Sequence, residues 1–157
     1  MIDPDTFRSV LGRFATGVTV VTTRDRTGVD HGMTVSAFGS ASLTPPLITV
    51  CLDRIAHTLP VLVESGFFAV NILSESQEAL SRRFAWQETG RFDGIGYSRG
   101  QSGAVLLDET LAWLECRVVG THEAGDHVLV IGEVDAAESR SERPLLYYRG
   151  GYAQLER

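Results

Sequence analysis

The side chains that could do chemistry in this chain fall into a few short stretches. Four histidines occur, His31, His57, His122 and His127. No two of them have the i, i+4 spacing that presents a pair of imidazoles to a metal from one helix face. His122 and His127 flank Glu123 and Asp126, carboxylates that would also suit an exposed turn, and no metal site is expected. Cys51 and Cys116 each lie in an apolar run, "LITVCLD" and "LAWLECRVV", with no C-x-x-C spacing. They are expected to be buried, reduced thiols. The nucleophile elbow G-x-S-x-G is absent. "GIGYSRG" (94–100) has the spacing G-x-G-x-x-x-G, with no strand leading in and no helix leaving, so it is no dinucleotide fingerprint.

Three stretches are left. In "GDHVLVIGEV" (125–134) an acid and an imidazole stand at the mouth of an apolar, β-branched run. Gly125 and Asp126 would suffice for a turn, so His127 either finishes that turn or meets a ligand. "GMTVSAFGSASLTPPL" (32–47) crowds small residues with the hydroxyls of Thr34, Ser36, Ser40, Ser42 and Thr44. Such a stretch lets a flat ligand approach the backbone, or it is simply a Ser/Thr-rich edge strand. His57-Thr58 ahead of a short helix, and Arg82-Arg83 within "SRRFA", are chemistry suited to a phosphate. Their alternative is a solvated helix face.

The 157 residues suit one domain over 1–157 with a real core. The net charge is -6, and all 14 basic residues are arginine, scattered without a stripe, which excludes nucleic acid as the main partner. No apolar run is long enough to span a bilayer, so no membrane partner is expected. "MIDPDTF" opens acidic and lacks the basic-then-apolar order of a signal peptide, so a cytoplasmic location is expected.

The elements that must hold these residues are mostly strands. Asp3-Pro4 predicts a helix start, and Phe7, Val10, Leu11 and Phe14 follow on one apolar face. "VTVVTT" (18–23) predicts a strand, 24–28 a turn, and "VDHGMTVSAF" (29–38) a resumed extended course. "PPLITVCLD" and "GFFAVNIL" predict further strands, with a short helix over "HTLPVLVES" between them. Ser74 and Gln77 form a capping-box pattern for a helix through about 84. Residues 87–108 are Gly-rich and aperiodic, which predicts a long mobile loop. Long strands are predicted at about 110–122 and 127–138, then a last extended piece through "PLLYYRGGYAQL". Helices do not alternate with the roughly seven strands. The chain is therefore mainly β, an antiparallel barrel with peripheral helices.

Taken together, "FRSVLGRFATGVTVVTT" (7–23), "GMTVSAFGSASLTPPL" (32–47), "GFFAVNIL" (66–73), "RRFA" (82–85), "LAWLECRV" (111–118), "GDHVLVIGEV" (125–134) and "PLLYYRGGY" (144–152) resemble one family over almost the whole chain. It is the flavin reductase-like domain of short-chain NAD(P)H:flavin oxidoreductases, the reductase components of two-component monooxygenases. The resemblance implies a split β-barrel that forms a homodimer and binds FMN or FAD in a groove near the subunit interface. It implies a flavin ring along Met33, Thr34, Val35, Ser36 and Ala37, with Cys51, Leu52 and Asp53 on the adjoining strand. Ser40, His57, Thr58 and Arg82, Arg83, Phe84 and Ala85 are implied toward the phosphate tail. His127, with Asp126, is implied at the nicotinamide of NADH or NADPH, donating to the carboxamide or closing the pocket, and Tyr152 lines the same side.

Some positions depart from the family pattern. Ser36-Ala37 stands where "NS" is frequent, Thr44 where Asp is frequent, and His57 where Ser is common. The activity implied is reduction of free flavin by hydride transfer from nicotinamide C4 to flavin N5, for delivery to a separate oxygenase. The alternatives are a flavin-binding protein without reductase activity and a split-barrel oxidoreductase that uses a deazaflavin.

Overall fold

The structure, a computed structural model, describes residues 1–156. Helix α1 (Pro4–Leu11) starts where the sequence predicts, with Asp3 accepting from the Thr6 amide at 2.9 Å. Twelve strands follow, among them β1 (Thr16–Gly17), β2 (Thr19–Arg24), β3 (Asp30–Val35), β4 (Phe38–Ser42) and β5 (Leu47–Asp53). Helix α2 (Thr58–Ser65), β6 (Phe67–Ile72) and α3 (Glu78–Trp86) come next, α3 entered through a short 3-10 turn with the expected Ser74–Gln77 capping box. The chain ends with β7 (Tyr97–Arg99), β8 (Val105–Leu107), β9 (Ala112–Ala124), β10 (His127–Ser139), β11 (Leu145–Tyr148) and β12 (Gly151–Gln154).

Seven strands form one antiparallel sheet in the order β3-β2-β6-β9-β10-β5-β4. Its first and last members, β3 and β4, are consecutive in sequence and joined only by Ser36 and Ala37. In a flat sheet the outer strands would stand about 29 Å apart, six spacings of ~4.8 Å. The three steps from Val35 to Phe38 reach at most ~10 Å. The sheet must therefore curl until its edges meet at this link. No ladder joins β3 to β4, so the closure is a seam and the barrel is split.

Strand β2 is buried on both faces and divides the interior. Val21 faces the barrel core with Val50, Leu52, Phe68 and Val130. Val18 and Val20 face a second core under α3, with Phe84, Val105 and Leu145. The threonines interleaved with these valines stay in the sheet because each hydroxyl finds a carbonyl. Thr19 donates to Val35 O at 2.6 Å, Thr22 to Val105 O at 2.7 Å and Thr23 to Phe67 O at 2.8 Å.

Three expectations need correction. Residues 29–38 are not one extended run, because the course breaks at Ser36-Ala37. Residues 87–108 are not a mobile loop. They contain the β7–β8 hairpin, and Arg83 and Arg91 pin the rest by donating to Asp93 O and Gly32 O, each at 2.6 Å. The last extended piece folds into the β11–β12 hairpin, which pairs with β1.

Candidate active site

The seam is the corner where the predicted ring-binding segment turns. Ser36 and Ala37 are exposed and small, so their backbone is open to a flat ligand. The corner is held by the Cys51 amide, which donates to Ala37 O at 3.0 Å, and by the Phe38 amide, which donates to Ser36 O at 3.0 Å. Met33 and Thr34 are half-buried, and Val35 and Leu52 belong to the barrel core. Val35 and Leu52 can therefore meet a ligand only through their main chain. Ser40 is exposed on β4, opposite Ile48.

On the far side of β5 stands the Gly-Asp-His turn. β9 and β10 are joined by the two residues Gly125-Asp126, and Gly125 has φ +62°, a conformation that glycine adopts at no steric cost. His127 is the first residue of β10 and lies directly opposite Asp53 on β5. Cys51 and Asp53 are two residues apart on one strand, and they meet Ala37 on one side and His127 on the other. Two strand spacings and two residue rises put the backbones of Ala37 and His127 about 12 Å apart.

The imidazole is oriented. Asp126 Oδ1 lies 2.7 Å from His127 Nδ1. A carboxylate only accepts, so Nδ1 carries the proton and Nε2 is the free ring nitrogen. In the neutral imidazole Nε2 is an acceptor; it donates only when the ring is charged. The same hydrogen bond holds the Asp126 carboxyl below its usual range. Asp53 is tied to its own turn, with Oδ1 accepting from the Ile55 amide at 3.0 Å.

The third group of predicted residues reaches the seam through Thr34, whose hydroxyl donates to Ser81 O at 2.6 Å and so fixes α3 against β3. Arg82 and Ala85 are exposed on α3, while Phe84 is fully buried in the second core. Arg82 pairs with Glu78 at 3.2 Å and lies over the Tyr152 ring, 4.8 Å from its centre. Arg83 is occupied with the carbonyls of Arg91 and Asp93. His57 is exposed ahead of α2, and Thr58, the first residue of that helix, is buried. Tyr152 stands with α3, its hydroxyl 2.7 Å from Ser81 Oγ.

Residues that sequence reasoning passed over complete the site. Ser81 holds Tyr152, Arg91 bonds β3 at Gly32, and Arg54 bonds the 123–126 turn. The adjacent Arg82-Arg83 pair pointed to the Ser81 segment; nothing local marked Arg54 or Arg91. Two recesses lie elsewhere, one of about 420 Å³ beside Arg24, Arg26 and Ser102 and one of about 200 Å³ beside Asp108 and Trp113. Among the described residues no cluster of three or more His, Cys, Asp or Glu could hold a metal.

The fold agrees with the comparisons. The family model described as "Flavin reductase like domain" matches residues 11–156. The chain belongs to the flavin reductase-like domain family. A flavin reductase of Pseudomonas putida is 41% identical over 152 residues, which cover 96% of this chain and 89% of the relative. The reductase subunit HsaB of a flavin-dependent monooxygenase from Mycobacterium tuberculosis is 41% identical over 161 residues, covering 99% and 84%. Among solved structures, the NADH:FAD oxidoreductase SgcE6 of Streptomyces globisporus C-1027, in complex with NAD and FAD fragments, superposes with a TM-score of 0.92 at 35% identity, covering 99% of this chain and 96% of that one. This chain is an oxidoreductase of that family, a flavin reductase with a split-barrel fold. No helix among the described residues is long and apolar enough to cross a membrane.

Proposed function

We propose that residues 1–157 act as one domain that uses NADH or NADPH to reduce free FMN or FAD, and that the reduced flavin leaves for a separate oxygenase. The observation that carries this reading is the register of β5. One strand end presents the exposed Ser36-Ala37 corner on one side and the oriented His127 on the other. When both are bound, hydride passes from nicotinamide C4 to flavin N5, and that chemistry belongs to the cofactors. The chain supplies placement. Ser36 and Ala37 bring a ring edge to the backbone. Asp126 occupies His127 Nδ1 and so leaves Nε2 as the ring nitrogen that meets the nicotinamide carboxamide.

At the flavin tail, Arg82 is the cation best placed for a phosphate, since Arg83 is already occupied by main-chain carbonyls. Tyr152 braces Ser81 and Arg82, and we assign it to this side instead of the nicotinamide side. The HsaB relative supports an oxygenase partner, because it is named as the reductase subunit of a monooxygenase. A homodimer is supported by α1, which buries no residue and leaves Phe7, Val10 and Leu11 exposed, with Phe14 exposed just beyond its end. Steady-state assays with each pairing of FMN or FAD with NADH or NADPH test the reading. Turnover with at least one pair is expected, and none with any pair overturns it.

A further inference from the structure

We propose that Arg54 is a positioning residue for His127, acting by clamping the hairpin tip that carries the imidazole. The inference rests on the nicotinamide role given to His127 above. The tip of β9–β10 projects beyond the body of the sheet. The β6 ladder on β9 stops at Phe67↔Arg117, one further bond runs from the Val118 amide to Gly66 O, and residues 120–124 are paired only with β10. On its other side β10 is paired with β5, and that ladder ends at the His127↔Asp53 pair. Beyond this pair the turn residues Gly125 and Asp126 lie outside any ladder.

Arg54, the next residue after that last pair, reaches across to the hairpin tip three times, twice to these turn residues and once to Glu123 near the end of β9. Its amide donates to Asp126 O at 3.0 Å, its Nη1 donates to Gly125 O at 3.1 Å, and its Nη2 donates to Glu123 Oε1 at 2.5 Å. The turn that offers Arg54 is itself fixed, with Asp53 Oδ1 on the Ile55 amide and Asp53 O accepting from the Ala56 amide at 3.0 Å. The exposed Arg54–Glu123 ion pair alone would count for little. The fork does more: it grips a side chain and a main-chain carbonyl of the same turn, which an ammonium cannot reproduce from one fixed plane. Asp126, whose carboxylate sets the His127 tautomer, is thereby held from its main chain, and Gly125 before it from its carbonyl.

The test compares Arg54→Ala, Arg54→Lys, His127→Ala and the double variant Arg54→Ala/His127→Ala. Arg54→Ala is expected to raise KM for the nicotinamide dinucleotide about tenfold, the scale of a sub-ångström misplacement, with KM for flavin unchanged. Arg54→Lys is expected to restore little of it. In the double variant the added effect of Arg54→Ala should vanish, because it acts through the imidazole. In the ligand-free chain, NMR of the His127 ring nitrogens should show the Nδ1 proton less firmly held in Arg54→Ala. An Arg54 effect that persists at full size without His127, or unchanged ring signals, would overturn the proposal. Should His127→Ala itself leave the dinucleotide KM unaltered, the nicotinamide assignment fails instead, and the ring signals still report on the clamp.

Discussion

Replacing Tyr152 with phenylalanine separates two placements of this residue. The substitution removes one atom, the hydroxyl 2.7 Å from Ser81 Oγ, and keeps the ring beneath Arg82. Ser81 is fully buried, so its hydroxyl loses its partner in the interior. Leaving a buried hydroxyl unsatisfied costs about 1–3 kcal/mol. Ser81 sits inside a helix and can turn its hydroxyl back to the preceding carbonyls, and Tyr152 is only half-buried, so the low end, ~1 kcal/mol, is expected. For a chain of this length that lowers Tm by roughly 2–4 °C. Ser81→Ala should cost a similar amount, and the double variant less than the sum, since removing both partners leaves nothing unsatisfied. The coupling from thermal or urea unfolding should be ~1 kcal/mol. If Tyr152 braces the flavin-tail side, the same energy appears as up to about a fivefold rise in KM for flavin, with KM for NADH unchanged. Strict additivity of the two substitutions would refute the hydrogen-bond argument, and a rise confined to the KM for NADH would refute the placement.

Three further outcomes are expected. Gly132→Ala puts a methyl 2.6 Å from Phe68 Cζ and 3.0 Å from Cys116 Cβ in the barrel core, so it should destabilise by about 1–3 kcal/mol, read from urea midpoints. Asp25 is held well below its usual 3.8, chiefly by the Thr27 hydroxyl, with the Val29 amide and His31 adding to it. A depressed carboxyl stabilises above its unfolded value, so the deficit of Asp25→Asn against the parent should be full at neutral pH and shrink as pH falls below about 3.8 in a series of Tm measurements. Burial pushes the Cys116 thiol from 9.0 up to about 12. A disulfide reagent at mildly alkaline pH should therefore meet a thiolate on the order of a thousandfold rarer than in the unfolded chain, and Cys116 should titrate only after denaturant is added.

What could be seen in the sequence was what short-range chemistry decides. Asp3-Pro4, the Ser74–Gln77 box and the Gly125-Asp126 turn are each settled within a few residues, and each appears where expected. The apolar spacing of Phe7, Val10, Leu11 and Phe14 marked a helix that in fact ends at Leu11, short of Phe14, and did not show what covers these side chains, which stay more than half exposed in one chain. The break at Ser36-Ala37 was invisible because both flanks look extended; it exists because two distant sheet edges must meet there. The order in 87–96 comes from Arg83 on Asp93 O, the edge-on contact of Phe92 with Phe84 at 5.0 Å and the long-range bond of Arg91 to Gly32 O, none of which a local pattern displays. In the site, the neighbours Asp126 and His127 were legible as a pair. That His127 stands opposite Asp53 depends on register, and that Tyr152 stands with Ser81 depends on the closing hairpin.

Seven consecutive residue pairs, from His127↔Asp53 to Glu133↔Leu47, lock β10 to β5. The gap between the two halves of the site is thus ruled by main-chain atoms, as notches are spaced along a key. Exchanging side chains at the seam retunes which planar molecule fits without shifting the imidazole. Sliding the ladder by a single notch would turn every residue of the strand inside out. Selectivity can drift in such a scaffold while the span between the seam and the imidazole stays put.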